Sequence, residues 1–131
     1  RIVHRDNWKV TTCPMSSATL TQAKDGAIAA WETAGQVYYA TINARTLEVS
    51  KPIRPPGETA RKHPVAVSNS KDETLLAWTE GTAWAKGGAV AWQVYSSDGK
   101  PTSDSGRGEG LAAWSLATAC ATPSGDFVIF Y

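Results

Sequence analysis

Charge of one sign is scarce in this chain: 13 Lys and Arg against 12 Asp and Glu leave a net charge of +1, with no basic run. A polyphosphate partner needs a concentrated basic face, so nucleic acid is excluded as an expected partner. Long apolar runs are missing too. No stretch approaches the roughly 20 residues that cross a bilayer, and no charged n-region precedes an apolar h-region, so neither a membrane span nor a signal peptide is expected within the chain. Only two cysteines, Cys13 and Cys120, are present. They are too few for a disulfide scaffold and lack the CxxC grouping of a structural zinc site. They read either as small apolar residues or as one bridge, and spacing does not choose between these. Two distant histidines make no metal site, and GxSxG, P-loop and HExxH patterns are lacking, so no cofactor is expected. The one methionine is Met15, so a processed or partial product is expected.

Helical periodicity is also absent. No window of about eleven residues places apolar positions at i, i+3, i+4 and i+7 without an intervening Gly or Pro. What is there instead are short runs of Val, Ile, Trp and Tyr bounded by Gly, Asp, Asn and Ser, which is all-β composition. At 131 residues, one domain burying about two-thirds of its unfolded surface is the starting expectation.

Sliding the sequence against itself changes that expectation. At an offset of 47, Ser17–Glu32 falls on Pro64–Thr79, so that Lys24-Asp25 meets Lys71-Asp72 and Trp31 meets Trp78. A third copy, Ala117–Tyr131, follows at a further 53. In each copy an apolar residue (Leu20, Val67, Cys120) precedes an aromatic one (Trp31, Trp78, Tyr131) by eleven positions. Each unit therefore opens with a hairpin of one alternating and one more continuously apolar strand. A third strand is predicted over Gln36–Ile42 and Ala89–Tyr95. A weak fourth is predicted near Lys51–Arg54 and near Thr102–Arg107, where Pro52, Pro55 and Pro56 suit an outer edge because proline cannot donate to a central ladder.

Four strands repeated every 45 to 50 residues or so is the period of β-propeller blades. Stacked immunoglobulin-like sandwiches fit less well, because about seven strands per hundred residues would be needed without unit-to-unit identity. The expected organisation is an outer strand at Arg1–Arg5 with a connection to residue 16, blades over 17–60 and 61–113, and the first two strands of another over 114–131. That amounts to about two and a half blades.

Two segments carry a family resemblance. Val3-His4-Arg5-Asp6-Asn7-Trp8-Lys9-Val10, followed by Cys13-Pro14-Met15, resembles a stretch of bacterial exported proteins of the sialidase-like, Asp-box (BNR-repeat) propeller superfamily. Ser96-Ser97-Asp98-Gly99-Lys100-Pro101-Thr102 resembles a degenerate Asp box, with Lys100 at the second Gly and Ser103 at the aromatic position. The resemblance implies part of a propeller of about six blades and an extracytoplasmic location. It also implies a folding role for Ser96, Asp98, Gly99 and Thr102, whose carboxylate would satisfy turn N–H groups. The three arginines and the Tyr–Glu pair by which sialidases act have no matching motif here.

With strands alternating in direction, turns after second and fourth strands share one end of the sheets, where this family binds ligands. That selects Val10–Ser16, Glu32–Gly35, Pro56–His63, Glu80–Gly88 and Arg107–Trp114. Trp84 reads as an aromatic platform beside Lys86, or as a plug between blades. Glu32 and Glu80 follow the repeated Trp and read as an acid–base pair or as caps of the mouth. Arg61 and Arg107 suit carboxylate recognition. His63 and Trp114 complete the candidate set. The expected function is a non-catalytic ligand-binding or scaffold part of a sialidase-like propeller, binding a glycan or small polar ligand. The alternatives are a portion of a glycoside hydrolase and an interaction module for a protein partner. Exposed sheet faces at the two ends of an arc predict self-association.

Overall fold

A computed structural model describes residues 2–9, 17–58 and 60–131. Among these residues there is no helix, and the strands form three antiparallel sheets of three, four and two strands in chain order. The first sheet holds β1 (Thr19–Ala23), β2 (Gly26–Thr33) and β3 (Gln36–Asn43). The second holds β4 (Arg61–Ser68), β5 (Thr74–Glu80), β6 (Gly88–Tyr95) and β7 (Pro101–Leu111). The third is the pair β8 (Thr118–Ala121) and β9 (Phe127–Phe130). The chain is therefore all-β, as its composition predicts.

Burial along β5 explains why the second strand of each unit is so apolar. Every residue from Thr74 to Thr79 is buried, because both faces of the second sheet are covered. One face joins Ile28, Ala30, Val37 and Tyr39 of the first sheet to Ala66, Leu76, Trp78, Ala91 and Tyr95, with the Tyr39 and Tyr95 rings edge-on at 5.1 Å. The opposite face joins Val67, Leu75, Trp92 and Val94 to Ala119, Phe127 and Ile129 of the third sheet. The alternation of period two sends successive residues of one strand to different neighbours. Strand β4 lies against β1, β2 and β3 on one side and β8 on the other.

The repeated second-strand aromatic has one orientation throughout. Trp78 faces the first sheet, and Tyr131 reaches back to β7, where its hydroxyl occupies the space beside Gly108. Trp31 also faces backward, stacked with Tyr38 at 5.8 Å and covered by His4 at 5.6 Å.

The first strand breaks this equivalence. Val67 pairs with Leu75 and Cys120 with Val128, across five-residue loops, but Leu20 pairs with Ala29 across the two-residue turn Lys24-Asp25. A shift of one residue turns every side chain to the opposite face. Leu20, the counterpart of buried Val67, is consequently 70% exposed on the outer face of the first sheet.

The edges differ from expectation in three places. The fourth strand near Lys51–Arg54 is reduced to single bridges, Tyr39 with Ile53 and Ile42 with Val49, because the prolines there remove donors. In the second sheet the fourth strand runs further than Thr102–Arg107, to Leu111. Residues 2–5 form no strand. Asp6 accepts hydrogen bonds from the Trp8 backbone N–H and the Thr33 hydroxyl, a local arrangement that competes with ladder pairing. Arg1 and the 10–16 segment, with Cys13, lie outside the described residues.

Candidate functional site

Because β5 and β6 are antiparallel, Glu80 and Gly88 share one end of the second sheet while the turn 96–100 lies at the other. The Glu80 end gathers most of the residues singled out in the sequence, in three groups with different chemistry.

The first group is an ion-pair node. The Glu80 carboxylate accepts from Trp78 Nε1 at 2.8 Å, and lies 3.5 Å from Arg61 Nε and 3.3 Å from Arg107 Nε. Arg107 also pairs with Glu109. These partners hold Glu80 as a structural anion, which is a different use from the acid–base pairing considered for it. Arg61 is likewise committed internally, at 5% exposure. Its guanidinium donates to Pro55 O (3.1 Å), Pro56 O (2.6 Å) and Gln36 Oε1 (3.1 Å), and lies over the Trp78 ring at 4.9 Å. Arg61, read from the sequence as suited to carboxylate recognition, is here engaged within the molecule: it clamps the 55–57 loop and the start of β3 to β5. The loop carbonyls that recruit it are invisible as a motif, and only the run of prolines hints at a loop needing external donors.

The second group forms a cleft of about 340 Å³, lined by Ser17, His63, Thr82, Ala83, Lys86 and Trp114 together with Ser115 and Leu116. Trp84 stands edge-on to Trp114, with ring centroids 4.5 Å apart at 89°. Both indoles are largely in solvent, at 76% and 57% exposure. Trp84 therefore does not plug a gap between sheets. Positive φ values at His63 (51°), Ala85 (52°) and Trp114 (67°) place three non-glycine residues around the cleft in the left-handed region. Such conformations cost free energy and persist where surrounding structure enforces them, often at binding sites. Thr82, Ala83, Ser115 and Leu116 had no sequence signal beyond lying near a Trp.

The third group is Glu32 with Lys62 and His63. Glu32 Oε2 and His63 Nδ1 are buried, with no hydrogen-bond partner among the described residues. Burial raises the Glu32 pKa above its ordinary 4.5, against the opposing pull of Lys62 and the His63 backbone N–H. Burial, then the Lys62 charge, lowers that of His63 below 6.5.

At the opposite end, Ser96 Oγ donates to Asp98 Oδ1 at 2.5 Å, and the Lys100 backbone N–H points at the same oxygen at 3.4 Å. Lys100 Nζ lies 2.6 Å from Asp98 Oδ2, and these hydrogen bonds and charge hold the Asp98 pKa down to about 2. Gly99 takes φ 77°, and Thr102 Oγ1 donates to Val94 O at 3.0 Å. Ser96, Asp98, Gly99 and Thr102 are thereby engaged within one turn, remote from the cleft. Among the described residues no cluster of three His, Cys, Asp or Glu side chains is arranged to hold a metal. The chain matches no protein-family model, no curated protein and no solved structure.

Proposed function

We propose that this chain is an arc of a sialidase-like β-propeller of exported type, and that it binds a short glycan in the Trp84–Trp114 cleft without chemistry of its own. The arc reading draws support from the serial stacking of the sheets, with β4 central to both junctions. The observation that carries the ligand reading is the exposed indole pair, of which Trp114 lines an apolar cleft walled by Lys86 and His63. An indole face accepts the C–H face of a sugar ring, while a few polar groups at the wall fix orientation. The volume sits at the lower end of ligand pockets, about 300–1,000 Å³, which suits one or two rings.

The hydrolase alternative draws on Glu32, whose raised pKa suits a general acid. It lacks a second carboxylate ready for the reaction, since Glu80 is tied to Arg61, Arg107 and Trp78.

Glycan-array binding followed by tryptophan-fluorescence titration tests the reading. Trp84→Ala and Trp114→Ala are each expected to weaken binding about tenfold or more, as truncation of a central aromatic anchor does. Retention of full affinity by both variants refutes the site. Turnover of aryl glycosides that disappears in Glu32→Gln refutes the non-catalytic reading.

A further inference from the structure

The two internal junctions follow one rule. At each, the onward face of one sheet meets the backward face of the next: Ile28 and Tyr39 against Leu76 and Trp78, then Leu75 and Trp92 against Phe127 and Ile129. Both kinds of face recur at the two ends of the stack, where no further sheet among the described residues meets them. The first sheet turns Leu20, Ala29, Trp31 and Tyr38 backward, with a cleft of about 350 Å³ between Leu20, Trp31 and the 3–6 segment. The third sheet turns Cys120, Val128 and Phe130 onward; Cys120 is an exposed free thiol and Phe130 is 57% exposed. The register of β9 is that of β5, so Val128 occupies the place of Leu75, which is buried against a following sheet.

We infer that the chain stacks head to tail on a second copy of itself, the Cys120–Val128–Phe130 face of one copy seating on the Leu20–Ala29 face of the next. The occupant is a second copy because the backward face of the first sheet is of the kind that each onward face inside the molecule already accepts. Apolar side chains on both surfaces supply the driving force, and leaving them in water is unfavourable. The one-residue slip in β1 contributes directly, since it places Leu20 outward on the accepting face. Such a contact is heterologous: it uses two different patches, so it propagates until a ring closes or continues as a filament. This deepens the arc reading of the chain and is independent of the Trp84–Trp114 cleft.

Sedimentation velocity and light scattering of the 131-residue chain test it. The unaltered chain is expected to associate with rising concentration. Leu20→Asp and Phe130→Asp each spoil one patch in every copy, so each variant alone is expected to sediment as a monomer. Mixed in equal amounts, the two restore association that stops at the dimer, because each contributes its intact patch. Both side chains are mostly in solvent, and unchanged tryptophan emission shows that the variants remain folded. Cys120→Asp repeats the onward-face test if Phe130→Asp fails that check. A monomeric unaltered chain overturns the inference, as does a mixture that stays monomeric or a variant that still dimerises alone. Glycan binding by such a monomer would leave the ligand reading standing, so the two can fail separately.

Discussion

Replacing Arg61 by Met removes the donors on which the 55–57 loop depends. The buried guanidinium serves Pro55 O, Pro56 O and Gln36 Oε1 and faces Glu80 at 3.5 Å, so truncation strands the loop carbonyls and takes from Glu80 the more buried of its two arginine partners. A charge-assisted hydrogen bond is worth about 1.5–3 kcal/mol, but losses within one network do not add. Breaking a buried ion pair by removing one partner costs about 3–5 kcal/mol, and that range is the expected destabilisation. Against a total stability of about 5–15 kcal/mol it is a large fraction. With a urea dependence of about 2 kcal/mol per molar, the midpoint should fall by roughly 2 M. Urea titration followed by fluorescence of the six tryptophans reads this directly. Arg61→Lys should recover less than half of the loss, because an ammonium cannot span the fork of acceptors. Arg54→Ala is the control: its pair with Glu58 is exposed and should change stability by no more than about 0.5 kcal/mol. An Arg61→Met protein within about 0.5 kcal/mol of the parent would refute the clamp.

Two further outcomes concern pH and packing. The His63 pKa is depressed on folding, so its contribution is present above 6.5 and is lost as pH falls through the folded value. That of Glu32 is raised, so its contribution is present below 4.5 and is lost as pH rises through the folded value. Urea midpoints across this interval should therefore decline towards acid less steeply in His63→Asn, and decline towards neutrality less steeply in Glu32→Gln. Variants with the parent's profile would contradict the burial argument. Gly106→Ala should destabilise by about 1–3 kcal/mol, because its Cβ would stand 2.7 Å from Trp92 Cη2 and push the indole off the third sheet. A neutral effect with unshifted tryptophan emission would show that β7 yields instead.

Much of the strand pattern was legible because its causes are local. The β2 and β5 hairpins are announced by apolar runs beside Lys-Asp turns, and Gln36–Asn43 and Gly88–Tyr95 by their β-branched and aromatic content. The slip of β1 was not legible, although Leu20 and Val67 are equally spaced from their aromatic residues. Turn type, not spacing, sets register: a two-residue turn and a five-residue loop distribute the same eleven positions differently between strand and connection. The sequence placed Glu80, Trp84, Lys86 and Trp114 at one shared end of the sheets, and the strand directions put them there. It could not separate Arg61 from them, because the carbonyls that bury its guanidinium come from a loop with no pattern of its own.

By itself the sequence determined that the chain is all-β and repeats a hairpin unit, since side-chain alternation and turn chemistry act over a few residues. Only the tertiary structure decided which polar residues are spent inside and which line a cleft at the surface. Arg61 and Glu80 resemble Lys86 and His63 as letters. The packing of β4 against two sheets holds the first pair together as a clamp, and the second pair lines a cleft with Trp114. Burial is a property of neighbours distant in the chain, and it sets both the cost of an unpaired charge and the exposure of an aromatic face.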